Sequence, residues 1–414
     1  MRKALIFAVK HLGIVFFYVI LVLNVFILLS GKTYLYEGIF QTYLQGRASP
    51  GIYDLDSFNK RIIPVSKPIS WGNSTKTSAM SLSAEEEKYH QDYGSRAFIV
   101  LQNDTLVYEK YWKEHRDNKL SNSFSLSKSI VSLLVGIALD EKKIKSIDDP
   151  VAKYLPTFTA YGRKSLTLRH LLTMSSGLEW SESGSNPLSD NAEGYYTNNL
   201  RSLLMRQRVV DSPGLRFNYQ SGNTQLLGYV IQKATGTSLS NYASLKLWKP
   251  LGAENAAYWS TDKLNGDEKS FCCFYATARD FARVGSLMVN KGSFNGKNIV
   301  SESYMNEAFA YADLSTKEGI KNQRYGLHFW IYFDGYEKVL CCNGLKGQFI
   351  IAIPSRKIVI VRIGNNRSSD VQLIDMFNAK RGGIDRSFID KIGHPNDIFV
   401  YLKMVNRMLG VKRN

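Results

Sequence analysis

The strongest apolar signal in the chain runs from Leu12 to Ser30 (LGIVFFYVILVLNVFILLS); it is uncharged and holds one strongly polar residue, Asn24. Its length suits a helix that crosses a bilayer. Arg2, Lys3 and Lys10 precede it and only Lys32 follows closely. The positive-inside rule therefore leaves residues 1–11 in the cytoplasm and exports the rest to the periplasmic or extracytoplasmic side, giving a single-pass protein. A basic N-terminus also fits a cleaved signal peptide, but the run is longer than a usual h-region and LLSGKTYLYEG has no small-x-small cleavage site. An uncleaved anchor over 12–30 is the expectation. Residues 31–84 sustain no period and are punctuated by Ser, Pro and Gly, which predicts an extended connection lying over the body that occupies 85–414.

Within that body the pattern changes several times. Glu85 to Tyr93 is a charged, helical stretch, and AFIVLQNDTLVYEKYW places two β-rich runs around Asn103 and Asp104, a hairpin with a short turn. Ser125 to Leu139 (SLSKSIVSLLVGIAL) is apolar on almost every face beyond its first turn, so it predicts a helix buried on all sides whose N-terminal end looks into the interior or a cleft. The stretch from about 149 to 251 reads as helical: Asp149 can cap a helix opened by Pro150, and Thr167 can cap LRHLLTM. A long polar loop, GLEWSESGSNPLSDNAEGYYTNN, interrupts it. Ala276 to Lys291 is an amphipathic helix ended by Gly292. YGLHFWIYF, YEKVLCC, QFIIAIP and KIVIVRIG then read as antiparallel strands, followed by a C-terminal helix. The order predicts an α+β fold, an antiparallel sheet flanked by helices plus a mostly helical subdomain.

Composition narrows this picture. A hydrophobic fraction of 44%, 12% aromatic residues and only 10 prolines in 414 residues exclude disorder and imply one large or two intimately packed domains, without internal repeats. The net charge of +17 favours anionic surroundings such as phospholipid headgroups or wall polymers. The basic residues are scattered, as in Lys142, Lys143 and Lys145, and no arginine-rich helix or aromatic-basic motif appears, which argues against nucleic acid as a partner. Cysteines occur as two adjacent pairs, Cys272 with Cys273 and Cys341 with Cys342. Sequence neighbours rarely bond to each other. The pairs are read as small buried apolar residues, a cross-link between them in an oxidising compartment being the alternative. Their spacing matches no zinc frame. Oligomeric state has no signature.

Ser125-Leu126-Ser127-Lys128 puts a hydroxyl and an amine on one helical face, one turn apart. A serine needs a base to become a nucleophile, and a lysine becomes that base near neutral pH only when burial or nearby cations depress its pKa. The apolar helix around Lys128 supplies the burial, and the Ser125 N–H at a helix start can face a developing oxyanion. Alone, Ser-x-x-Lys is also the pattern of a capped helix with a snorkelling lysine. A second element, Tyr219-Gln220-Ser221-Gly222-Asn223, precedes an apolar helix, and a third, Asn343-Gly344-Leu345-Lys346-Gly347, opens a strand. Ser127 and Ser129 read as surface or capping serines. Asn223 reads as a helix cap, Trp180, Tyr195 and Tyr196 as cleft lining or a loop core, and no Ser-His-Asp triad is apparent.

Together these elements resemble the S-x-x-K, Y-x-N and K-T-G or H-x-G motifs of the penicillin-binding and serine β-lactamase family. DDPVAKYLP, LTLRHLLTMSSGL, PGLRFNYQSGNTQLLGYVI, YATARDFARVGSLM and YGLHFWIY resemble its class C branch, over about residues 95 to 365. Serine two places after the tyrosine and G-x-x-G-Q in the last motif are similar to 6-aminohexanoate-dimer hydrolases and related esterases. The resemblance implies a β-lactamase/transpeptidase-like fold and a serine hydrolase of small-molecule or peptide-like esters or amides, with no metal or organic cofactor. Ser125 would be the acylated nucleophile, Lys128 its activating partner and Tyr219 the proton shuttle. Ser221 would stand for the asparagine and bond Lys128 or the substrate, with Asn223 as the alternative replacement, Asn343 and Gly344 would flank the substrate, and the Leu345 N–H would be a second oxyanion donor. Cys342-Asn343-Gly344 lacks the usual cation or imidazole of the third motif. That departure points away from β-lactams and D-alanyl peptides, and it leaves open a catalytically weak ligand-binding or regulatory module at the membrane.

Overall fold

The first helix, α1 (Arg2–Ser30), is continuous, and its Val9–Ser30 portion is long and apolar enough to cross a membrane and almost wholly exposed. The computed structural model describes residues 2–73, 80–317, 319–333, 336–372 and 394–411 of the chain. After a turn at Gly31 come α2 (Tyr34–Gln41), β1 (Lys60–Ile63) and β2 (Gly72–Asn73). The stretch expected to be an extended connection is therefore built into the body. β1 pairs with β6 of a four-stranded sheet, β2 pairs with β4, and Ile52 and Ile63 lie in the main core. No period betrayed this, because α2 is only eight residues long and is held by what it packs against rather than by its own propensity.

Next come α3 (Ala84–Asp92), β3 (Ser95–Gln102), β4 (Thr105–Tyr111), β5 (Ser121–Asn122) and α4 (Ser127–Asp140). The helical portion follows as α5 (Val151–Tyr154), α6 (Leu168–Leu172), α7 (Asp190–Tyr196), α8 (Leu200–Arg206), α9 (Ser221–Thr235) and α10 (Leu239–Ala243). The chain then adds β6 (Ala257–Ser260), β7 (Phe274–Ala276), α11 (Ala278–Val289), β8 (Ser293–Phe294), β9 (Lys297–Asn298) and α12 (Glu302–Ala308). It ends with β10 (Trp330–Phe333), β11 (Lys338–Gly344), β12 (Gln348–Ile353), β13 (Ile358–Gly364), β14 (Val371–Gln372), β15 (His394–Pro395) and α13 (Asn396–Met408).

The main sheet has the order β10-β11-β12-β13-β3-β4-β2, antiparallel except for the β2–β4 pair. Period-two alternation divides it between two cores. Ile99, Leu101, Val359, Val361, Ile350 and Cys342 face the core containing α4, α9 and α11, whereas Phe98, Val100, Ile358, Ile360, Ile351 and Cys341 face that of α13. Cys341 and Cys342, both free and buried, thus point to opposite faces, as small apolar residues. Cys272 and Cys273 are instead bonded to each other, against expectation.

Local chemistry explains several boundaries. Asn103 and Asp104 both adopt positive φ (51° and 56°) in the two-residue loop of the β3–β4 hairpin, the turn whose twist matches its strands. Thr167 caps α6, and Thr277 caps α11 by accepting from the Asp280 N–H (3.1 Å). Asp280, fully buried, also accepts from the Glu254 and Asn255 amides (2.7 and 3.0 Å) and from Arg283 Nε (3.2 Å).

Candidate active site

The loop before α4 is clamped on several sides. The Asn122 N–H donates to the Ile52 carbonyl (2.8 Å), the Ser123 N–H to the Phe274 carbonyl (2.8 Å), and the Phe124 N–H to the Asn122 side chain (2.9 Å). Phe124 sits at φ 46° with its ring in the core. A non-glycine residue in that region costs about 1–3 kcal/mol, and it persists because packing over-determines it. The effect is to turn Ser125, in the 3₁₀ turn Phe124–Leu126, into a cavity of about 350 Å³. Ser127 and Ser129, expected at the surface or as caps, are buried, their hydroxyls donating to the Ser270 and His328 carbonyls (2.7 Å each).

One turn on, Lys128 Nζ donates to Ser125 Oγ (2.9 Å) and to the Phe271 carbonyl (2.9 Å). Burial lowers its pKa from 10.5 to about 8, with the Glu182 carboxylate pulling the other way. Desolvation wins because the amine has only neutral acceptors in contact. Nζ also lies 5.0 Å from the centroid of the Tyr219 ring, which stacks on Trp330 (5.7 Å, 28°) and meets Tyr325 edge-on (6.1 Å). Burial and Glu182 push the Tyr219 phenol well above its usual pKa, and its interaction with the Ser125 hydroxyl opposes the rise. Ser125, Lys128 and Tyr219 are thus brought together.

Ser221 does not reach Lys128. Its Oγ donates to Glu182 Oε1 (2.8 Å) and its N–H to Glu182 Oε2 (2.7 Å), while Trp180 Nε1 also donates to Oε2 (2.8 Å). Glu182 therefore occupies a wall of the cavity with its charge facing the lysine and the tyrosine. The next residue, Gly222, leaves room for Trp180, since a Cβ there would lie 2.6 Å from the indole. Asn223 is buried, bonds the Met174 sulfur (3.4 Å) and lies outside the cavity lining, neither a cap nor a substitute for the missing asparagine.

Asn343, Gly344 and Leu345 close the cavity from the end of β11. Gly344 passes so close to the loop before α4 that a Cβ would fall 2.2 Å from the Ser123 carbonyl oxygen. Among the described residues, neither the Ser125 nor the Leu345 backbone N–H donates to another group. The expected absence of a cation needs amendment: Arg367 also lines the cavity, and its Nη1 is buried without a partner among the described residues. Sequence reasoning missed Glu182, Arg367 and Trp330. The polar loop and its three aromatics were the only trace of the first.

A family model described as Beta-lactamase matches residues 83–380. The 6-aminohexanoate-dimer hydrolase of Paenarthrobacter ureafaciens is 26% identical over 292 residues, covering 65% of this chain and 72% of that protein. A Bacillus anthracis protein named as a candidate 6-aminohexanoate-dimer hydrolase superposes with a TM-score of 0.71 at 20% identity, over 87% of this chain and 94% of its own. A family VIII carboxylesterase does so with 0.56 at 18%, over 79% and 98%. At such identities the superpositions speak for the fold.

Proposed function

The chain belongs to the β-lactamase family of serine hydrolases, and from that premise we propose that it cleaves an ester or amide through an acyl-enzyme on Ser125. Neutral Lys128 takes the Ser125 proton as Oγ attacks the carbonyl carbon. The Ser125 and Leu345 N–H groups hold the oxyanion. The C–O or C–N bond breaks as the leaving group receives a proton relayed through Lys128 and Tyr219, releasing an alcohol or amine. Water then attacks the ester, its proton returning to Ser125 Oγ, and the carboxylic acid departs. The observation that carries this reading is the 2.9 Å contact between Ser125 Oγ and a buried amine whose pKa has fallen to about 8.

The reading extends to place and specificity. α1 is taken as an uncleaved membrane span, its N-terminus in the cytoplasm and the hydrolase body outside. Asn343 in place of the third motif's cation or imidazole favours esters and uncharged amides over β-lactams, a preference that Arg367 on the cavity wall weakens. In the test, the full chain is treated with a fluorophosphonate probe and assayed on p-nitrophenyl esters, nitrocefin, D-alanyl peptides and linear amides. Wild type should be labelled and turn over esters, and Ser125→Ala should lose labelling and at least about 10³-fold in rate. Absent labelling and turnover in wild type would reject it in favour of a binding module.

A further inference from the structure

The cavity over Ser125 has an unusual second wall. Leu35, Ile39 and Tyr43, from α2 and the turn after it, line the same space as Ser125, Tyr219 and Gly344. This wall follows directly on the apolar helix α1, and it lies outside the region matched to the family, which begins at residue 83. It is docked rather than loose. Ile27 near the end of α1, fully buried, packs with Tyr34, Leu35, Ile39 and Tyr196, and the Tyr34 hydroxyl donates to the Pro187 carbonyl across the cavity rim (3.0 Å).

The depth of α2 can be read from one bond. The Tyr36 hydroxyl donates to Asn24 Oδ1 (2.8 Å), and Asn24 stands six residues, about 9 Å, before the end of α1. The helix therefore lies beside the last turns of the apolar span. Its other face presents Tyr36 and Phe40, one turn apart and exposed by 39% and 56%, and Leu44 in the turn that follows the helix is exposed by 69%. An exposed apolar and aromatic stripe at that level suits the headgroup–acyl boundary.

Resting on the hydrolase and membrane-span reading above, we infer that the substrate is an amphiphilic ester or amide: its apolar chain passes from the lipid layer along the inner face of α2, and its carbonyl is delivered to Ser125. One face of α2 contacts lipid while the opposite face lines the reaction space. A chain leaving the bilayer here need not cross water to reach the nucleophile.

The test uses the full chain in vesicles of phosphatidylglycerol and phosphatidylcholine, and compares Ser125 labelling by ethyl and dodecyl fluorophosphonates. Complete burial of each methylene is worth about fourfold, so even partial burial of the longer chain predicts a dodecyl-to-ethyl rate ratio above about tenfold. Ile39→Asp should collapse that ratio towards unity. Reagent partitioning into the vesicles is the same for both proteins and cancels in the comparison. If Ile39→Asp loses labelling by both reagents, the Phe40→Asp, Leu44→Asp double variant decides, and it should lower the ratio while ethyl labelling reports an intact site. Equal ratios in wild type and variant, with ethyl labelling retained, overturn the inference and leave the hydrolase reading standing. Failure of the chain to float with vesicles also overturns it. Absence of labelling by either reagent sinks both.

Discussion

In the proposed mechanism Lys128 is the base, held by hydrogen bonds to Ser125 Oγ and the Phe271 carbonyl. Its amine must be neutral to accept a proton, so kcat/KM for esters should rise with pH through an apparent midpoint near 8, the value to which burial has lowered it. Glu182 is the charge that resists this lowering. Glu182→Gln should therefore move the midpoint to lower pH, which a rate profile from pH 5 to 10 would check; an unmoved midpoint would mean the carboxylate is screened. Ser125, Lys128 and Tyr219 were legible in the sequence because one helical turn and one ordered set of motifs are local patterns. Glu182 was not, because its position depends on Trp180 folding under Gly222, a contact across 42 residues. Arg367 was illegible because only the pairing of β13 with β12 and β3 brings the loop after it to the cavity.

At the level of elements, the hairpin at Asn103, the buried helix after Ser125, and the helix ended by Gly292 all announced themselves through turn chemistry and period. The buried wiring of α11 did not. Asp280 gathers the Thr277 hydroxyl, two backbone amides and Arg283, a guanidinium fully removed from solvent and also paired with Glu254 (2.9 Å). Asp280→Ala would strand that cation and those amides, and should destabilise the protein by about 3 kcal/mol. A urea midpoint that falls with an unchanged slope would confirm it, whereas a neutral result would mean Glu254 suffices. The short strands β1 and β2 escaped sequence analysis because four and two residues are too few to display alternation, and their partners lie far along the chain.

For the whole molecule, two buried amines set a pH signature. Burial lowers Lys128 to about 8 and Lys269 to about 7, from 10.5. Between those values and 10.5 the unfolded chain binds more protons than the folded one, so stability climbs with pH across that window. Above about pH 10 the sign reverses, because buried tyrosines such as Tyr219 and Tyr304 stay protonated in the fold and ionise on unfolding. Thermal midpoints from pH 6 to 11 should therefore pass through a maximum near 10, and a Lys128→Met, Lys269→Met protein should lose the rising limb. The segment before residue 83 supplies β1 at the edge of the smaller sheet, and its Ile52 carbonyl steadies the loop that carries Ser125. Trimming the gene to the family boundaries, a natural step towards a tractable soluble preparation, would strip a strand from β6 and unroof the reaction space. The substrate profile of such a fragment would be a property of the cut, broader and weaker than that of the intact molecule, and should not be used to assign its physiological reaction.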